Sequence, residues 1–171
     1  MESLKIIALS FLAAVAYGIL HDQVTARVCL EYFTEAHPRI IASRDPTRLA
    51  LAWGVVATWW VGLPLGLILA IASRAGSPPR RSARELIRPL LLLLGIMAAL
   101  ALAAGIAGFV AAQSGRATIL PPLWARIPSN RHARFIADLW AHTASYVSGA
   151  AGGLLLASWV LFRRRYPPAG A

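Results

Sequence analysis

Pro89–Ala112 reads PLLLLLGIMAALALAAGIAGFVAA, 24 residues without a charged side chain. At 1.5 Å of rise per residue, a helix of this length crosses a hydrocarbon core about 30 Å thick. Working outward, three further blocks have similar character: residues 4–20, 49–72 and 142–162. The chain as a whole is 58% hydrophobic and 14% charged, with a mean hydropathy of +0.61. A soluble domain is closer to half apolar and a quarter charged. These blocks predict an all-α polytopic membrane protein: a single domain, 1–171, built as a transmembrane four-helix bundle whose first partner is the lipid bilayer. Long connectors cover about residues 21–48 and 113–141, and a short one covers 73–88.

The local signals refine this plan. Leu4–Tyr17, with Lys5 before it and Ala14-Val15-Ala16 as an A-x-A pattern, has the make-up of a secretory signal. It is expected to stay as the first span. No breaker follows His21 until Pro38, so helix 1 should continue beyond the bilayer to about Thr34, with Arg27 and Glu31 spaced to pair. Asp45-Pro46 is a helix start, an acid cap followed by proline in the first turn. Gly62, Pro64 and Gly66 predict a kink and a close neighbour in span 2. Ser129 or Asn130 should cap helix 4, whose first turns project outward. Ser145, Gly149 and Gly153 form a small-residue seam in it, and Pro167-Pro168 begins a tail.

The net charge of +10 does not indicate nucleic acid, because the arginines flank the apolar blocks instead of forming one basic face. Lys and Arg are split nine to eight between the two sides, so their number barely decides orientation. Their density does: Arg74, Arg80, Arg81, Arg84 and Arg88 crowd the short connector, and Arg163–Arg165 abut the last span. Both termini are expected on the cytoplasmic side of a bacterial inner membrane. All four histidines and five of the seven acids then fall on the outer side or at its boundary. The single cysteine, Cys29, excludes an internal disulfide and reads as a small packing residue.

Counting about 20 residues from Lys5 and from Arg163, with span 3 ending at Gln113, puts His21, Asp22, Gln113 and His142 at one depth, with Trp53 and Trp140 as interfacial anchors. Asp138 and His142 share a face of helix 4. If the two outer extensions meet, His21, Asp22, Glu31, Asp138 and His142 surround one pocket. Histidines with carboxylates suit zinc or another first-row divalent metal. The plainest alternative is structural, polar residues marking an interface. Ion or proton translocation, haem ligation by His21 and His142, and catalysis also remain open. The chain has no GxSxG, HExxH or P-loop, so the reading is non-enzymatic: an outer-face pocket for a ligand or partner, with a metal ion leading. A small oligomeric transporter or channel, or an accessory subunit of a membrane complex, is the alternative, and either implies a homo-oligomer or a membrane partner protein.

The segment HDQVTARVCLEYFTEAHP, His21–Pro38, resembles a stretch of uncharacterised small four-span bacterial membrane proteins. The resemblance implies the four-span layout and a bacterial membrane. It brings no activity, cofactor or catalytic residue with it.

Overall fold

The computed structural model describes residues 1–76 and 79–166. The Pro167-Pro168 tail lies outside them. Every regular element among the described residues is helical: α1 (Glu2–Val28), α2 (Leu30–Glu35), α3 (Pro46–Val56), α4 (Trp59–Arg74), α5 (Ala83–Gln113), α6 (Leu123–Arg126) and α7 (His132–Arg165). A single 3-10 turn, Ser129–Arg131, leads into α7 without a side-chain cap. Among the described residues, four helical units are long and apolar enough to cross a membrane: Glu2–Val28, Pro46–Arg74, Ala83–Gln113 and Ser129–Arg165.

The units form a ring. α1 packs against α3–α4 on one side and α5 on the other, while α7 closes the ring between α4 and α5. α1 and α7 therefore lie on a diagonal. One end of the bundle carries both long connectors, and the opposite end carries the arginine-rich connector. Each end has its own apolar cluster. Tyr32, Phe33, Trp53 and Phe135 lead the one at the connector end. Ile6, Leu69, Leu86 and Val160 lead the one at the arginine end.

Between these clusters the helices approach through glycine. A Cβ on Gly54 would lie 2.5 Å from the Ile19 Cα, and one on Gly18 would lie 2.6 Å from the Gly54 carbonyl oxygen. Gly62 and Gly66 continue the seam against Ala14 and Ile7. The close neighbour expected for span 2 is thus α1. The break in that span sits upstream of Pro64, at Ala57–Thr58, where the Thr58 hydroxyl donates to the Gly54 carbonyl. On α7, the small residues serve different neighbours: Gly149 meets Met97 of α5, Gly153 meets Leu65 of α4, and Ser145 bonds to Tyr17 of α1.

Several sequence expectations change here. Helix 1 breaks at Cys29, whose backbone is extended (φ −146°, ψ 100°), and α2 resumes at an angle that buries Tyr32 and Phe33. The break turns Glu31 away from Arg27. Arg27 instead donates to the Gln23 side chain (2.7 Å) and to Thr47 Oγ1 (2.8 Å). α5 begins at Ala83, before Pro89, because Ser82 and Glu85 form a reciprocal capping box. The Asp45–Pro46 start is present, with Asp45 Oδ1 accepting from the Arg48 amide at 2.8 Å.

At the arginine end, Arg164 turns inward and is 2% exposed. Its guanidinium donates to the carbonyls of Ala72 (2.6 Å), Ala75 (2.8 Å) and Pro79 (2.8 Å). These include carbonyls that the end of α4 cannot satisfy within its own helix, and a cation there also suits the helix dipole.

The glycine seam is testable. Gly54→Ala forces a Cβ against backbone, which no side-chain rotation relieves, and should cost about 1–3 kcal/mol. Gly95 has nothing within 4 Å of its Cβ position, so Gly95→Ala should be neutral or stabilising by about 0.5–1 kcal/mol. Thermal unfolding in detergent separates the two; equal midpoints would contradict the packing.

Candidate metal centre

α1 and α7 run antiparallel across the bundle, so their polar residues meet in layers about one turn apart. In the first, Tyr17 Oη and Ser145 Oγ bond at 2.8 Å. In the second, His142 Nε2 lies 3.2 Å from Asp22 Oδ1. In the third, the Cys29 backbone lies against the Asp138 carboxyl group. Asp22 and Asp138 are 4% and 1% exposed.

The second layer has a definite chemistry. His142 Nδ1 lies 2.8 Å from the Asp138 carbonyl oxygen. A carbonyl only accepts, so Nδ1 carries the hydrogen. The other ring nitrogen, Nε2, faces the Asp22 carboxyl oxygen. That contact needs a positive centre between the two atoms, either a shared proton or a metal ion. Tyr32 stacks on the His142 ring (centroids 4.3 Å, 23°) and fixes its plane.

His21 completes the group. Its ring meets that of His142 edge-on at 4.5 Å and stacks on Tyr17 at 5.8 Å. His21 Nε2 is buried and has no hydrogen-bond partner. One ligand atom each from His21, Asp22 and His142 all lie within 4.8 Å of one another. A cavity of about 60 Å³ opens beside them, bordered by Tyr17, Thr58, Met97, Ser145 and Tyr146.

Of the five residues proposed from the sequence, the structure brings three together. Asp138 shares the α7 face with His142, but it contributes its backbone carbonyl to the histidine; its Oδ2 is buried without a partner. Glu31 lies elsewhere. It accepts from the Cys29 thiol at 3.3 Å and sits 3.9 Å from Arg131 Nε. Two histidines on opposite faces of a haem need the macrocycle between them, and rings 4.5 Å apart leave no room for it.

The surroundings also depart from expectation. Trp53 is not an exposed anchor but is 9% exposed and packs edge-on against His37 at 4.8 Å. His37 is held in place: its Nδ1 hydrogen-bonds the Tyr32 carbonyl at 2.8 Å, and burial lowers its pKa. His132 is likewise tied down, with Nε2 2.8 Å from the Ile127 carbonyl. Tyr17 and Tyr32 were not singled out from the sequence, and Ser145 was read only as part of a packing seam. The i−4 and i+3 spacings from His21 and His142 were the only signal for Tyr17 and Ser145 at this site.

Comparison of the chain with protein-family models, curated proteins and solved structures gives no match.

Burial, then the nearby Glu31, pushes the Cys29 thiol up to about 12. The thiol stays protonated at pH 8, and Cys29 is fully buried. A maleimide should therefore leave the folded protein unlabelled at pH 8 and label it fully once denatured in SDS. Rapid labelling of the folded state would contradict this packing.

Proposed function

We propose that the chain is a four-span protein of a bacterial inner membrane that binds one first-row divalent cation through His21, Asp22 and His142. The single observation that carries this reading is the buried, partnerless Nε2 of His21 beside the Asp22–His142 contact. Two histidines and one carboxylate give a three-ligand set with a position left for water or a substrate. Metal–ligand bonds of about 2.0–2.1 Å place tetrahedral ligand atoms about 3.3 Å apart. The 3.2 Å between His142 Nε2 and Asp22 Oδ1 fits that edge. The three ligand atoms lie within 4.8 Å of one another, so His21 must move inward to close the set. The bond from His142 Nδ1 to the Asp138 carbonyl is the outer-shell support that metal-ligating histidines commonly have.

Bilayer embedding is supported by an inside-out distribution of side chains. α5 turns Leu91, Leu92, Leu102, Ile106 and Val110 outward and buries Ala101 and Gly108. Water would not tolerate such a surface at this extent; lipid favours it. The arginine-rich end then faces the cytoplasm, and the metal site sits at the outer end of the bundle.

The test is metal analysis of purified protein, stripped with chelator and reloaded with Zn²⁺ or Co²⁺. One ion per chain is expected, falling below about a tenth of that in His142→Ala, with His132→Ala unchanged. No retained ion under either loading would end the proposal.

A second reading, ion or proton translocation, is favoured by the cavity that continues from the three residues toward Met97 and Gly149. It predicts flux in reconstituted vesicles that is abolished by Asp22→Asn. Absence of flux under any imposed gradient would rule it out and leave metal binding intact.

A further inference from the structure

A second cleft, independent of the three-residue group, lies between the connector Pro38–Arg44 and the start of α3. It encloses about 280 Å³, the volume of about nine liquid waters. Its lining is chemically one-sided. Phe33, Ile41 and Leu49 supply an apolar wall, Arg39 and Arg44 supply two guanidinium groups, and no carboxylate borders it. Neither guanidinium has an ion pair or hydrogen bond among the described residues. Trp53 also lines the cleft. It is 9% exposed, and its Nε1 is buried without a partner.

Thr34 and Ser43 also line the cleft, but their hydroxyls are engaged locally, Thr34 Oγ1 donating to the Leu30 carbonyl and Ser43 Oγ accepting from the Asp45 amide; the three groups left without partners, Arg39, Arg44 and Trp53, are donors only. An indole N–H buried without an acceptor is uncommon, and each such group calls for an explanation. Here the ring is fixed by its edge-on contact with His37 and by its place in α3, so it cannot swing out to water. What is missing is an acceptor-rich, negatively charged group with an apolar portion.

We propose that this cleft binds a phosphate-bearing anion. Arg39 and Arg44 are five residues apart on the connector, and Trp53 comes from a helix. Donors arriving from separate directions suit the tetrahedral oxygens of phosphate better than a planar carboxylate. Arginine is the side chain best matched to such oxygens. The phosphate comes from a phospholipid headgroup or from a soluble phosphate ester; the recognition chemistry is the same. The apolar wall receives the carbon portion of either.

The experiment uses full-length protein in neutral detergent. Native mass spectrometry measures retention of phosphatidylglycerol against phosphatidylcholine, and calorimetry measures binding of glycerol 3-phosphate. Phosphatidylglycerol is expected to bind about tenfold more tightly than phosphatidylcholine, or glycerol phosphate to bind by itself. The first result assigns the site to lipid and the second to a soluble ester. Arg39→Ala/Arg44→Ala should remove the preference or the calorimetric signal. Trp53→Phe, which keeps an aromatic side chain but deletes the N–H with the five-membered ring, should weaken binding about threefold to tenfold. Arg126→Ala/Arg134→Ala, a double loss of charge away from the cleft, should leave binding unchanged. Binding equal in wild type and the Arg39/Arg44 variant, or no binding of either probe, overturns the proposal.

Discussion

The approach of α1 to α3 through Gly18 and Gly54 is the constraint on which the interior depends. Backbone there lies where any side chain would stand. Asp22 is one turn beyond Gly18, so the same contact sets how deep Asp22 sits and how far it reaches toward α7. Widen that gap by one methyl group and the 3.2 Å contact between Asp22 and His142 loses its alignment. Small residues in this bundle do more than permit close packing. They hold a carboxylate and an imidazole in register across a diagonal where the helices otherwise have little contact.

The polar layers on that diagonal share an economy of donors and acceptors. Tyr17 and Ser145 satisfy each other, and His142 uses one nitrogen on a carbonyl and the other on Asp22. Against this background the unpaired atoms stand out: His21 Nε2, Asp138 Oδ2, Trp53 Nε1 and the Ser73 hydroxyl. Buried polar atoms without partners are expensive wherever water is excluded. His21 and Trp53 each border a cavity, and the unpaired atom of each is of the type its inferred ligand requires: a lone pair for a cation, a donor for an anion.

The long elements were legible from the sequence because their causes are local. A 24-residue apolar run, an Asp-Pro start and counted helical rise place four helices and bring His21, Asp22 and His142 to one level. What escaped the sequence is non-local or lies in backbone detail. The break at Cys29 has no proline or glycine to announce it; it follows from burying Tyr32 and Phe33 against α7 and α3. That break then decides the fate of Glu31, which periodicity alone aligned with Arg27. Ser82-x-x-Glu85 was readable as a capping box, but Pro89 drew the helix start to itself. Arg164 looked like one of three arginines ending a helix. Its burial depends on where α4 ends, information held some ninety residues away.

That distance has a consequence for how the molecule is made. The carbonyls at the end of α4 receive their guanidinium from the fourth long helix, and Asp22 receives its imidazole from the same helix. In chain order, the first three long helices exist before either partner has been synthesised. Until α7 arrives, a carboxylate at one end and a row of carbonyls at the other must be hydrated or held by something else. The bundle therefore cannot mature one hairpin at a time. It has a single completing event, in which one helix closes both ends.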